Sequence, residues 1–145
     1  MIDAAIDRVR PLLQGRFISR DVPSQLPEIA ADRALAESAL VNVLNNAARY
    51  SPEEATILVR AREVSGKVEI DIIDEGPGFS PLALERLFTK FSHGVEGDGR
   101  PAGAGLGLAV AKGFIEAQLG SIAASNRADR AGAIVRIALP SLGGG

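Results

Sequence analysis

The sequence predicts an α/β two-layer sandwich, with strands in hairpins and helices that can all cover one face. Two observations carry that expectation. Two pairs of β-rich runs are each joined across a glycine, and long apolar stripes recur at helical spacing around them. A third sets the scale: 145 residues suffice for one domain with a sizeable core and are too few for two ordinary ones.

Taken in order, Ile2, Ile6, Val9, Leu12 and Leu13 predict a first helix ending near Gly15. Arg16 to Val22 alternates loosely ahead of Pro23 and Pro27, which reads as a strand and then a loop. Asp32 is a good N-cap for a long helix from Arg33 to about Arg49, with Leu40, Val43, Leu44 and Ala47 as its core stripe. Pro52 stops that helix, because Ser51 ahead of a proline is pushed out of the helical region. Thr56–Arg62 and Val68–Ile73 are β-rich and joined across Ser65-Gly66, a hairpin signature. Pro81 to Phe91 predicts a short helix, Pro81 suiting its first turn. Ser92 to Ala102 has three glycines, Pro101 and no apolar rhythm, and reads as a mobile loop. Leu106 to Leu119 predicts another long helix. Ser121–Arg127 and Ala133–Leu139 close the domain as a strand pair around Gly132. Residues 1–140 are therefore expected to be one domain and 141–145, ending Gly143-Gly144-Gly145, a disordered tail.

Composition narrows the function. Apolar residues make up 46% and charged residues 23%, a globular balance. A net charge of −2 suggests neither a nucleic-acid surface nor a membrane patch. The chain has no cysteine, so a disulfide framework and a thiolate metal site are excluded. No apolar run approaches the ~20 residues of a membrane span, and the N-terminus lacks a secretory pattern.

Three segments make chemical sense together: Asn42-Val-Leu-Asn-Asn46-Ala-Ala-Arg49-Tyr50, Asp74-Glu-Gly76-Pro-Gly78 and Gly103-Ala-Gly105-Leu-Gly107-Leu. At 100° per residue, Asn42, Asn46 and Arg49 fall in a strip about 60° wide, with Tyr50 at its edge and the core stripe elsewhere. A carboxamide oxygen is a neutral, hard ligand suited to a Mg²⁺ ion already carrying phosphate oxygens and waters. Asp74 ends a hydrophobic strand, where its carboxylate can accept from an adenine amino group. Gly76 and Gly78 permit close backbone approach to a ring. The glycines from Gly103 open a helix whose free N–H groups can hold phosphate. The reading is a magnesium–ATP site. Each segment alone also has a plain account, as a solvated helix face, a loop turn or a glycine-rich loop. The spacing is not that of the dinucleotide fingerprint, and no Gly-x4-Gly-Lys-Ser/Thr loop occurs.

In order and spacing these segments resemble the nucleotide-binding boxes of bacterial sensor histidine kinases, in the wider family that includes gyrase, Hsp90 and MutL. The resemblance implies a mixed sheet of Bergerat type, with ATP held between helices under a flexible lid. It implies Asn46 as the metal-binding residue with support from Asn42, Arg49 as a phosphate contact acting with Asn46 in catalysis, and Tyr50 as an aromatic lining the base pocket. It extends the nucleotide-binding set to Asp74, Gly76, Gly78, Phe79, Gly103, Gly105, Leu106, Gly107 and Leu108. Phe88-Thr-Lys-Phe91 matches the family's phenylalanine box. His93, the one histidine, stands where the family often has arginine and is read as a solvated side chain, not a phosphoacceptor. Ala104 departs from a common hydroxyl residue. Asn-Asn-Ala-Ala-Arg-Tyr-Ser-Pro and Ala-Ser-Asn126-Arg127 with Gly132 look most like the Kdp-type potassium-responsive sensor kinases.

The expected function is an ATP-binding catalytic domain that passes the γ-phosphoryl group of Mg²⁺–ATP to a histidine on a dimerisation domain absent from this chain. Its partners would be that domain and, indirectly, a response regulator, with no nucleic acid and no membrane contact. In isolation it would be a monomer, and in place the cytoplasmic domain of an inner-membrane sensor. Two other classes fit the same residues: a stand-alone serine kinase of the anti-sigma type, and a regulatory module that binds ATP without transfer.

Overall fold

The hairpin expected across Ser65-Gly66 lies at the heart of the sheet. The computed structural model describes residues 1–88 and 104–142, the first three of the second stretch by backbone alone. In it, β2 (Thr56–Val64) and β3 (Lys67–Ile73) pair antiparallel, turning through Ser65 and Gly66 at φ 50° and 78°. Two positive φ values in a two-residue loop match the right-handed twist of the flanking strands. β1 (Phe17–Asp21) lies parallel to β2, while β5 (Ala133–Pro140) runs antiparallel to β3 and carries β4 (Ser121–Asn126) at the far edge. The result is a mixed five-stranded sheet of order β1-β2-β3-β5-β4.

Alternation along the strands separates the two faces. Ile57, Val59, Ile70, Ile72, Val135 and Ile137 point one way into the core. Against them lie α1 (Ile2–Val9), α2 (Arg33–Tyr50) and α4 (Ala104–Glu116), with α2 packed between α1 and α4. This is the expected sandwich with helices on one face. α3 (Pro81–Arg86) follows a Ser80 cap whose Oγ accepts from Ala83 N at 3.1 Å. The predicted cap of α2 also forms: Asp32 Oδ1 accepts from the N–H groups of Ala34 and Leu35 at 2.9 and 3.2 Å.

Strand ends shift from expectation by one or two residues, and other boundaries differ for identifiable reasons. The first helix becomes a 3-10 turn over Arg10–Leu12, because Pro11 has no N–H to continue the α pattern. α2 runs one residue further, to Tyr50, before Ser51 turns extended. α4 begins two residues early and stops at Glu116, where Leu119 at φ 63° ends it: Gly120 N bonds Ile115 O and Leu119 N bonds Glu116 O. Residues 141 and 142, expected in the tail, are held by the domain. Ser141 bridges to Ile29 and donates from both N and Oγ to Gly66 O, and Leu142 N donates to Glu28 O. α3 stops at Arg86, with Leu87 and Phe88 in a turn, short of the Phe91 expected, and the expected mobile loop 92–102 lies outside the described residues.

Candidate functional site

The end of α2 and the end of β3 meet backbone to backbone. A Cβ placed on Gly76 would sit 2.7 Å from the carbonyl oxygen of Tyr50, so only glycine lets these segments touch. Polar groups stitch the junction. Ser51 is buried; its carbonyl accepts from Arg16 Nε at 2.8 Å and its Oγ accepts from Glu75 N at 3.4 Å. The Glu75 carboxylate in turn accepts from Thr56 N at 2.6 Å. Asn42–Tyr50 and Asp74–Gly78, separate in sequence, thus form one corner of the molecule.

Asp74 occupies that corner with its side chain buried. Its Oδ1 accepts from Gly76 N at 2.9 Å and from Ala133 N at 3.0 Å. Its own N–H donates to Ala133 O at 2.9 Å, and its carbonyl accepts from Arg127 Nη1 at 3.2 Å. Two backbone donors on one oxygen fix the plane of the carboxylate before any ligand arrives. An ionised carboxylate only accepts hydrogen bonds, so the group suits an amino edge and opposes a carbonyl edge.

The turn that follows is gripped from β4. Gly78 has φ 76°, and a Cβ there would lie 2.8 Å from Asn126 Oδ1. Phe79 N donates to that oxygen at 2.8 Å, and Asn126 Nδ2 donates to Phe79 O at 2.7 Å. The side chains of Phe79 and Leu108 lie in the hydrophobic core, 6% and 0% exposed.

On α2 the core stripe is buried, while Asn42 and Asn46 are part-exposed and Arg49 is exposed, as the helical wheel requires. α4 runs alongside α2. On it, a Cβ at Gly107 would meet nothing within 4 Å, so this glycine borders open space. Gly105 and Leu106 belong to the first turns of α4, while Gly103, Phe91 and His93 lie outside the described residues. Phe88 is part-buried, with Lys112 Nζ 6.0 Å above its ring.

The donor set fits a nucleotide with its metal better than a metal alone. Among the described residues no cluster of three His, Cys, Asp or Glu side chains can hold an ion. A Mg²⁺ ion here would take few protein ligands and draw the rest from phosphate and water, which is its usual habit. Ser51 and Arg16 were not expected in the site. Their signal was faint: a hydroxyl before a proline, and an arginine just after a Gly.

From residue 31 to residue 143 the sequence matches the family of histidine kinase-, DNA gyrase B-, and HSP90-like ATPases. The chain is 33% identical over 141 residues to the sensor protein KdpD of Clostridium acetobutylicum, covering 97% of this chain and 16% of that protein. It is 33% identical over 140 residues to KdpD of Escherichia coli, covering 97% and 15%. The chain therefore spans about a sixth of the length of these curated relatives. Among solved structures, the mycobacterial sensor histidine kinase MprB superposes with a TM-score of 0.83 at 30% identity, over 97% of this chain and 93% of that one. Full-length ShkA, solved in complex with AMPPNP, superposes at 0.76 with 28% identity, over 97% of this chain and 30% of that one.

Proposed function

The chain belongs to the histidine kinase-, DNA gyrase B- and HSP90-like ATPase family, as a Kdp-like ATP-binding domain of a sensor histidine kinase, and on that premise we propose that it binds Mg²⁺–ATP and donates the γ-phosphoryl group to a histidine on a separate dimerisation domain. The observation that carries this reading is Asp74. It is a buried carboxylate locked by Gly76 N and Ala133 N, at the corner where the Asn-bearing helix meets the glycine turn.

In this reading the Asp74 carboxylate accepts from the adenine amino group. Gly76 and Gly78 let backbone approach the base, and Tyr50 lines the pocket. Asn46, with Asn42 beside it, supplies a carboxamide oxygen to Mg²⁺, and Arg49 stands one turn further on to meet phosphate. The amides at the start of α4, with Gly103, Gly105 and Gly107, hold the phosphate chain. Little covalent chemistry is asked of these residues. They position and neutralise charge, which is what phosphoryl transfer needs from a protein. A P–O bond to ADP breaks, and a P–N bond to the acceptor imidazole forms.

The acceptor histidine, a response regulator and a potassium-responsive input would belong to a longer protein of Kdp type, anchored in the inner membrane with this domain on its cytoplasmic side. Among the described residues no helix is long and apolar enough to cross a membrane.

Calorimetry with and without EDTA tests the binding reading. Mg²⁺–ATP should bind the wild-type chain, and Asn46→Ala should lose the metal-dependent part. Equal affinities for the two would reject the assignment of Asn46. Adding an isolated dimerisation hairpin should yield phosphohistidine, and its absence with ATP bound would favour a regulatory module.

A further inference from the structure

We propose that Asn126 is a positioning residue that sets the base-reading carboxylate of Asp74 through the turn at Gly78 and Phe79; this rests on the ATP-binding reading above. The carboxamide makes a two-point pairing with one peptide, accepting from Phe79 N at 2.8 Å and donating to Phe79 O at 2.7 Å. It thereby acts as a missing strand partner for a segment that has left the sheet. Its Oδ1 also lies 2.8 Å from where a Gly78 Cβ would be, so the amide covers the glycine and fixes its left-handed backbone.

The other end of the same segment is held by the same hairpin. Arg127 Nη1 donates to Asp74 O at 3.2 Å while its Nε and Nη2 are held by Asp129 at 3.0 and 2.9 Å. Ala133 N bonds Asp74 Oδ1, and Gly132 admits no Cβ because it would collide with Asp74 O. Residues 74–79 are thus clamped at both ends by the β4–β5 connection. With its first residue carrying the carboxylate and its last pinned by Asn126, the turn has little freedom to rotate Asp74 away from the base. The carboxamide makes both bonds at neutral pH: an ionised carboxylate at 126 accepts from Phe79 N but repels Phe79 O, and a methyl does neither.

The test uses Asn126→Ala and Asn126→Asp in the full 145-residue chain. Circular dichroism confirms folding, titration gives ATP and GTP affinities, and amide exchange is followed at Gly76 and Ala133 without nucleotide. Both variants should exchange those two amides faster, bind ATP more weakly, about tenfold for Asn126→Ala, because a less fixed Asp74 must be ordered on binding, and discriminate less between ATP and GTP. The deficit of Asn126→Asp should shrink as pH falls, because a protonated carboxyl again donates to Phe79 O. If Asn126→Ala does not fold, this pH-dependent recovery relative to wild type decides the matter. A folded variant with wild-type affinity and wild-type ATP:GTP preference overturns the proposal. A wild-type chain that binds no ATP overturns the parent reading instead, and exchange at Gly76 and Ala133 then still decides whether Asn126 orients Asp74.

Discussion

Arg136 and Asp71 are cross-strand neighbours on β5 and β3, joined by two hydrogen bonds of 2.7 and 3.1 Å on the sheet face away from the helices. Asp71 is only 1% exposed, because Arg60 and Arg62 from β2 lie over it from the other side. Burial pushes its carboxyl upward, but the Arg136 hydrogen bonds and charge, with Arg60 and Arg62, outweigh this and hold it below its ordinary 3.8. A depressed acid stabilises the fold above its unfolded value and loses that contribution as pH falls through the folded one. Asp71→Asn should therefore lower stability by about 1–2 kcal/mol at neutral pH, a modest figure because the guanidiniums are well solvated. The gap between variant and wild type should close below the ordinary value of 3.8. Urea midpoints from pH 7 to pH 2.5 check it; a constant gap would mean that packing, not charge, is lost.

Asp74→Asn should weaken ATP binding by roughly 1.5–3 kcal/mol, or one to two decades, because a charged acceptor is lost in a buried pocket. It should also blur the preference for adenine, since an amide offers a donor where the carboxylate offers none. Competition of ATP and GTP against a fluorescent adenosine nucleotide measures both effects. GTP competing equally well with wild type would remove Asp74 from this role.

Two glycines should respond in opposite directions. Gly132→Ala places a methyl against Asp74 O at a backbone φ of 141°, so it should cost about 2–3 kcal/mol. Gly113 is exposed within α4 with nothing near a built Cβ, and Gly113→Ala should stabilise by about 0.5–1 kcal/mol. Chemical denaturation of both variants gives the comparison directly.

Leu119 ends α4 in the left-handed region at φ 63° while 86% exposed. It has the strain of a side chain there and almost none of the benefit of burial. Leu119→Gly should stabilise the fold by about 0.5–1 kcal/mol and so raise the unfolding midpoint, because glycine is the usual residue at this cap. A lower midpoint would show that the side chain packs better than its exposure indicates.

Much of this was readable from residue order. The helical period alone places Asn42, Asn46 and Arg49 off the core stripe of α2, and the end of an apolar run beside two glycines marks Asp74. What sequence could not supply is who stands opposite whom. In Val68-Glu-Ile-Asp-Ile-Ile73, alternation assigns Asp71 to the polar face, yet it is buried by arginines from strands eleven residues before it and sixty-five after it. The parallel partner of β1 left no local trace, and neither did the grip of Asn126 on Phe79, forty-seven residues away. Pro11 was visible, but the apolar period running through it masked its effect on the first helix.

The sheet order has a consequence for how the chain matures. β3 meets β2 through a two-residue turn but meets β5 only after the chain has passed through α3 and α4. One of the two donors on Asp74 Oδ1 comes from Ala133, fifty-nine residues downstream. Local hairpins close early and long-range pairings late, since loop closure must precede the contacts that reward it. The carboxylate at the corner should therefore be aligned late, when β5 docks on β3. A chain truncated before Ala133 would keep every described helix and lack a strand that bonds Asp74 Oδ1, so its ATP binding should be lost.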